Sequence, residues 1–371
     1  MDAMLRSPML DKLQELEIYV YETAALPLPP YLWLQPQESE SHGDALLQLP
    51  PSVLRFSPTL RVLTLCSGLS FPEEAAADAL RFPRLKKLTL MDIEISEGAL
   101  NGVLSGCLVL DSLLLDGCIG CRRLRISSVT LRSLGVSSGV KGTDGKLEEL
   151  IVDDAPLLER LIPRCPNYGL LIRVIKAPKL KTLGYLHDDI PTFEVGTLHL
   201  EKMVPVTLSN VLCSVKILAL LTNPDLDLVT GLLKCFPCVE KLYIVSYPRL
   251  ILKNSESFAP LECLDQHLKM LQITNYEGKE PDINFIKFFV LNARQLECMK
   301  FIVRREKCGA KWIARQHVNL QVNDRASPGA RFHFEASPCS SSTLVHMKHI
   351  HDLAMDPFDG SLCKCHDDEF V

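Results

Sequence analysis

The chain has 371 residues, 47% of them apolar and 23% charged, which is enough to bury a sizeable core. Its net charge of −5 excludes the massed basic face of a nucleic-acid binder. Its 14 cysteines stand scattered beside apolar residues, as at Cys66, Cys107 and Cys213, so they read as small buried hydrophobes and not as a secreted disulfide framework. No basic-then-apolar leader opens the sequence, no Asn-x-Ser/Thr acceptor occurs, and no apolar run reaches the ~18 residues of a membrane span. The expectation is an intracellular protein, cytoplasmic or nuclear, with no membrane or nucleic-acid partner.

The first strand falls on Leu13, Leu16 and Ile18, close behind Met1, so the chain enters directly on its repeating pattern. A connection rich in proline follows, with Pro27, Pro29, Pro30, Pro36, Pro50 and Pro51, whose fixed φ favours extended and turn backbone. Its LPLPP reads as a stiff crossing and not as a ligand for a proline-binding module. Then an L-x-x-L-x-L spacing recurs at Leu60-Leu63-Leu65, Leu85-Leu88-Leu90 and Leu110-Leu113-Leu115, each 25 residues after the last, which is the period of a leucine-rich repeat. In each strand alternate residues point to opposite faces, so Leu88 and Leu90 go one way while Lys87 and Thr89 go the other. Ser96 can cap a following helix that carries Leu100, Val103 and Leu104 on one face and ends at Gly106.

Beyond Leu115 the period shortens, through Leu124 and Ile126, Leu131 and Leu134, Leu147 and Leu150, to Leu180 and Leu183. Such intervals hold strand and turn but no full helix, so loops are expected on the convex side there. Regular units return at Val215-Leu218-Leu220 and Val239-Leu242-Ile244, with Leu228, Leu232 and Leu233 as the helical face between them. Two more units stand at Leu268-Leu271-Ile273 and Leu296-Met299-Phe301, with Asp282 as the cap of a helix bearing Phe285, Phe288, Phe289 and Asn292. ARFHF, Ala330 to Phe334, alternates like an edge strand, and the residues after Pro338 have little to bury. The fold class expected is α/β: a leucine-rich-repeat solenoid, a curved parallel sheet with helices and loops on the convex side. Its solenoid covers 1–255, a continuation of the stack 256–335, and a weakly ordered His/Cys/acidic tail 336–371.

Enzyme chemistry finds no support. GVKGTDGKL, Gly139 to Leu147, has the wrong glycine spacing for a phosphate loop, with Leu147 where a magnesium-binding hydroxyl belongs. The CxxC pairs Cys118/Cys121 and Cys235/Cys238 lie several repeats apart and cannot share a zinc ion. His346, His349, His351, Cys363, Cys365 and His366 suit zinc by residue type, but nothing nearby in sequence would orient them, and a solvated tail is the reading taken. No nucleophile elbow or zinc-protease helix occurs. No catalytic residue, metal or cofactor is expected.

Residues 260 to 303, with Glu262-Cys263-Leu264-Asp265 before His267-Leu268-Lys269, then Asn275-Tyr276, Gly278 and Phe288 to Ala293 leading into Leu296-Glu297 and Met299, resemble the FBD region of plant F-box, leucine-rich-repeat and FBD proteins. The resemblance runs back through Leu49 to Leu65 and Ser105 to Val136, and forward through Asn323 to Phe334 and HMKHIHDL. It implies a non-catalytic substrate receptor of an SCF-type ubiquitin ligase, in which an N-terminal F-box docks on a Skp-type adaptor and cullin while the repeats hold the protein to be ubiquitylated. The family's F-box pattern is not found before the Leu13 strand, so adaptor and cullin are expected partners only if an F-box lies upstream. The alternative is an interaction scaffold or decoy without a ligase link. An unknown protein is the partner in either case.

If the leucines face the core, the residues between them face the partner. That set is Lys87, Thr89, Ser112, Glu149, Lys241, Tyr243, Gln272 and Lys300, with Leu114 and Ile217 as apolar neighbours and Tyr243 as the strongest single anchor.

Overall fold

A computed structural model describes residues 2–20, 46–71, 81–139, 143–164, 168–207, 210–246, 261–305, 308–336, 347–352 and 356–360. They form two compact units, Met1–Pro178 with Ser341–Pro357, and Lys179–Ser340 with Phe358–Val371.

The strands of the first unit are β1 (Glu15–Tyr19), β2 (Leu47–Gln48), β3 (Val62–Ser70), β4 (Lys87–Glu94), β5 (Ser112–Asp116), β6 (Arg123–Ser127), β7 (Ser133–Ser137), β8 (Glu149–Asp154), β9 (Arg160–Pro163) and β10 (Leu171–Val174). Its main sheet runs β1-β3-β4-β5-β7-β9, all parallel, with β2 paired to β3. The register stacks the repeat leucines in two columns. One is Leu16, Leu63, Leu88, Leu113, Leu134 and Leu161, and the other is Ile18, Leu65, Leu90, Leu115, Val136 and Pro163. These column residues are buried, and each leucine contributes roughly 1.5–3 kcal/mol relative to exposure, so burial of the columns is what holds the stack together. Helix α1 (Glu97–Gly106) covers them where the period leaves room. Ser96 caps it by accepting from the Ala99 amide at 3.1 Å, and Ala99, Leu100 and Val103 are buried while Leu104 is half-buried.

Where the period shortens, the expected loops give way to a second parallel sheet, β6-β8-β10. Its register aligns Leu124, Leu150 and Ile172, then Ile126, Val152 and Val174. All six are buried. Leu124, Leu134, Leu150, Leu161 and Ile172 therefore do not mark one sheet. They alternate between two, each short repeat giving one strand to either layer.

The second unit holds β11 (Thr182–Leu186), β12 (Thr192–Val195), β13 (Leu198–Glu201), β14 (Val204–Pro205), β15 (Ile217–Thr222), β16 (Lys241–Ser246), β17 (Met270–Thr274), β18 (Cys298–Val303) and β19 (Arg331–Ala336). β12, β13 and β14 pair antiparallel, while β11-β15-β16-β17-β18-β19 is parallel. Its columns read Leu183, Leu218, Leu242, Leu271, Met299, Phe332 and, beside them, Leu220, Ile244, Ile273, Phe301, Phe334. Helix α2 (Leu226–Cys235) is capped by Asp225, whose carboxylate accepts from the Leu228 amide at 3.0 Å. It buries Val229, Leu232 and Leu233, so Val229 takes the core place expected of Leu228. Helix α3 (Glu280–Asn292) starts before Asp282, which lies in its first turn and accepts from the Glu277 amide at 3.0 Å instead of capping. Phe285 and Phe289 are buried, and Asn292 is exposed.

Helix α4 (Ala310–Asn319), which the leucine pattern did not signal, brings Gln316 to the Tyr276 hydroxyl at 2.8 Å. Phe334 stacks on Phe301 with centroids 4.4 Å apart, and Ala330 to Phe334 is the expected edge strand in essence, as β19. No described helix is long and apolar enough to cross a membrane.

Candidate protein-recognition surface

Seven of the eight candidate residues stand in register rows on the main-sheet strands, on the face opposite the leucine columns. In the first unit one row runs Lys87, Ser112, Ser133 and Arg160, and the next runs Thr89, Leu114, Gly135 and Ile162. In the second unit the rows are Ile217, Lys241, Met270 and Cys298, then Ala219, Tyr243, Gln272 and Lys300. Glu149 does not belong to these rows. It sits on β8 of the second sheet, where it pairs with Arg123 at 3.6 Å, and the position expected of it is held by Arg160.

Exposure differs from expectation for a specific reason. Part of the tail, far from being solvated throughout, forms a helical turn at Met347–His351 that lies against the first unit's rows. The His351 ring is spanned by two hydroxyls, Ser112 Oγ at 2.6 Å from Nδ1 and Thr89 Oγ1 at Nε2. Ser133 Oγ donates to the Ile350 carbonyl at 2.6 Å, and the Arg160 guanidinium donates to the Asp352 carbonyl. Thr89 and Ser112 are thereby buried, at 1% and 0% exposure. Burial, followed by the positive charges of Lys87, Arg160 and Arg164, pushes the His351 ring down to about 3, so it is neutral at physiological pH. Asp116 and Arg164 form an ion pair at the strand ends nearby.

In the second unit Tyr243 is 1% exposed, its ring 5.5 Å from that of Phe358, which also meets Tyr185 at 5.0 Å. Lys300 Nζ approaches Asp359 Oδ1 at 3.9 Å, and Gln272 is buried. Tyr243 is therefore no exposed anchor, as its position alone suggested, but part of an aromatic cluster with a tail residue. Lys87 and Lys241 remain half-buried.

The other sequence candidates resolve simply. Cys66, Cys107, Cys118, Cys121 and Cys235 are buried free thiols, and burial pushes those of Cys66 and Cys107 up to about 12. Cys213 is exposed, contrary to its apolar setting in sequence. Lys146 of the glycine turn donates to the Tyr168 carbonyl at 2.6 Å. His351 spends both ring nitrogens on hydroxyls, and His346, Cys363, Cys365 and His366 lie outside the described residues, as does LPLPP. Among the described residues no group of three or more His, Cys, Asp or Glu is placed to hold a metal ion. Ser133, Gly135, Arg160 and the tail residues were missed in sequence. The L-x-x-L at Leu158 and Leu161 was the signal that would have found the β9 pair.

The described residues of this surface carry hydroxyls, cations and an apolar notch, groups that can hold a polypeptide. A family model described as "FBD-associated F-box protein At5g56370, LRR repeats" matches residues 1–244, and a second, described as "FBD", matches 259–301. A relative, "Putative FBD-associated F-box protein At5g56560" of Arabidopsis thaliana, is 26% identical over 336 residues, covering 82% of this chain and 77% of its own length. No solved structure matches.

Proposed function

We propose, for a chain that belongs to the family of FBD-associated F-box proteins with leucine-rich repeats, that it is the substrate-recognition part of an SCF-type ubiquitin ligase receptor. The family is one of protein interaction, and substrate recognition is the role it suggests. The single observation that supports the reading is the pair of register rows on the first unit, where Lys87, Ser112, Ser133 and Arg160 stand beside Thr89, Leu114, Gly135 and Ile162 with polar groups and a notch turned to one polypeptide segment. In such a receptor the chain supplies binding alone. Catalysis comes from raising the effective concentration of a substrate lysine near charged ubiquitin, an intramolecular advantage that needs no residue of this protein to react. Lys87 and Arg160 of the first unit would set charge preference, and the hydroxyls would set register.

The test joins identification to activity. Partners captured by the full chain from plant extract are identified and purified singly, then offered to a reconstituted Skp-type adaptor, cullin and RING assembly with the chain present. Ubiquitylation that needs the chain, and that falls at least tenfold with Lys87→Glu, is the expected result. A partner that binds without being ubiquitylated would make the chain a scaffold, and binding indifferent to Lys87→Glu would remove the surface from the proposal.

A further inference from the structure

The contacts of the Met347–His351 turn are those of a ligand in a built site. Ser112 and Thr89 stand on adjacent strands and grip the two nitrogens of one ring, so the site reads an imidazole by its shape and its two polar atoms. Ser133 reads the preceding carbonyl and Arg160 the following one. Between them Gly135 leaves a notch. A Cβ there would lie 3.0 Å from Ile350 Cδ1, 3.2 Å from its Cγ2 and 2.8 Å from Leu114 Cδ1, so the absence of a side chain is what admits the isoleucine. Ile350 is fully buried and His349 and His351 nearly so, although the turn is only five residues long. Such a short helix has no stability of its own in water and is helical here because it is docked. Charge agrees with the occupant: Lys87, Arg160 and Arg164 surround the site, and Asp352 and Asp356 act on Arg160.

The geometry points to a peptide groove on β4, β5, β7 and β9 that takes one helical turn carrying an aliphatic residue, then histidine, then an acidic residue, and to Ile350-His351-Asp352 as its built-in, displaceable occupant. Resting on the recognition role proposed above, this names the chemistry a protein partner must bring: an aliphatic-His-acidic segment that replaces the tail. Tethering gives the internal copy an effective concentration of about millimolar. A partner must exceed that threshold, so the tail acts as a filter against weak ligands as well as a plug.

The probe is the acetylated, amidated hexapeptide of Met347 to Asp352, carrying a fluorophore and titrated against the full chain by anisotropy. Ile350→Asp in the chain expels the internal copy, and the expected result is saturable binding at least tenfold tighter than to the unsubstituted chain. That binding should be lost when the peptide carries His351→Ala or when the chain also carries Gly135→Leu. Equal binding by the two chains, or none by a folded Ile350→Asp chain, would overturn the proposal and make the turn a fixed part of the fold. Amide exchange on the unsubstituted chain decides the matter if that variant does not fold. The amides of 347–352 should exchange at least tenfold faster than those of β4, β5 and β7, and protection equal to these strands would overturn it. Both experiments use the chain without any partner. Displacement seen here alongside partner capture indifferent to the surface would fault the recognition role alone, and the converse would fault the plug alone.

Discussion

His351 concentrates the physics of the occupied face in one ring. Its neutral form accepts from one hydroxyl and donates to another, whereas the protonated form would carry a buried charge among Lys87, Arg160 and Arg164. Because its pKa in the docked state is about 3, below the ordinary 6.5, the undocked segment binds more protons in acid. The ring's contribution is therefore complete above pH 6.5 and is lost progressively as pH falls from there towards 3. Protection of 347–352 against amide exchange, corrected for intrinsic rates, should drop between pH 7.5 and 5, and His351→Ala should flatten that dependence. Gly135→Leu should expose the same amides at neutral pH at least tenfold without unfolding the chain, because its side chain takes the space of Ile350. Of the eight facing residues the sequence named, the residue scale keeps Lys87, Lys241 and Lys300 with some exposure. It buries Thr89, Ser112, Tyr243 and Gln272, and it moves Glu149 to another sheet. Alternation gives the face a side chain points to, but what else lies on the face of Thr89, Ser112 and Ser133 is decided by a segment 217 to 262 residues away in the chain.

Elements follow local rules where the repeat is long. Ser96 and Asp225 cap α1 and α2 through amides three residues on, which the Ser and Asp placed before apolar periodic runs already imply. Asp225→Ala should lower stability by about 1 kcal/mol, measured as a shift of the chemical denaturation midpoint, and Ser96→Ala by a similar amount. Short repeats escape those rules. Between Asp116 and Leu180 each leucine pair has too few residues after it for a helix, and the sequence shows alternation with no indication of which layer a strand joins. RLRIS and ELIVDD pair with one another in a register that buries Leu124 beside Leu150 and Ile126 beside Val152.

At the scale of the whole molecule, stability is held by columns and not by isolated contacts. Leu242 and Leu271 are register partners with no exposed surface. Leu242→Ala and Leu271→Ala should each cost about 2–5 kcal/mol. Their effects should depart from additivity by about 0.5–3 kcal/mol, because neighbouring cavities share walls, and a double variant that simply adds would show the columns to be independent. Calorimetry of the four chains of that cycle measures it. The chain divides into two compact units that hold different strands of the columns, so truncations in Leu183 to Phe332 should leave the β1 to β9 amides protected longer than those of the unit that is cut.

The sequence by itself determined the repeat, the leucine columns, the Ser96 cap and the family, because each depends on spacing within about 30 residues and on which side chains avoid water. Tertiary structure alone decided the second sheet of the short repeats, the arrival of Arg160 where Glu149 was expected, and the occupation of the first unit's face by Ile350 and His351. The reason is physical. Burial of a leucine is a property the residue carries with it, whereas the fit of an imidazole between Ser112 and Thr89 exists only once three distant stretches of chain have been brought together.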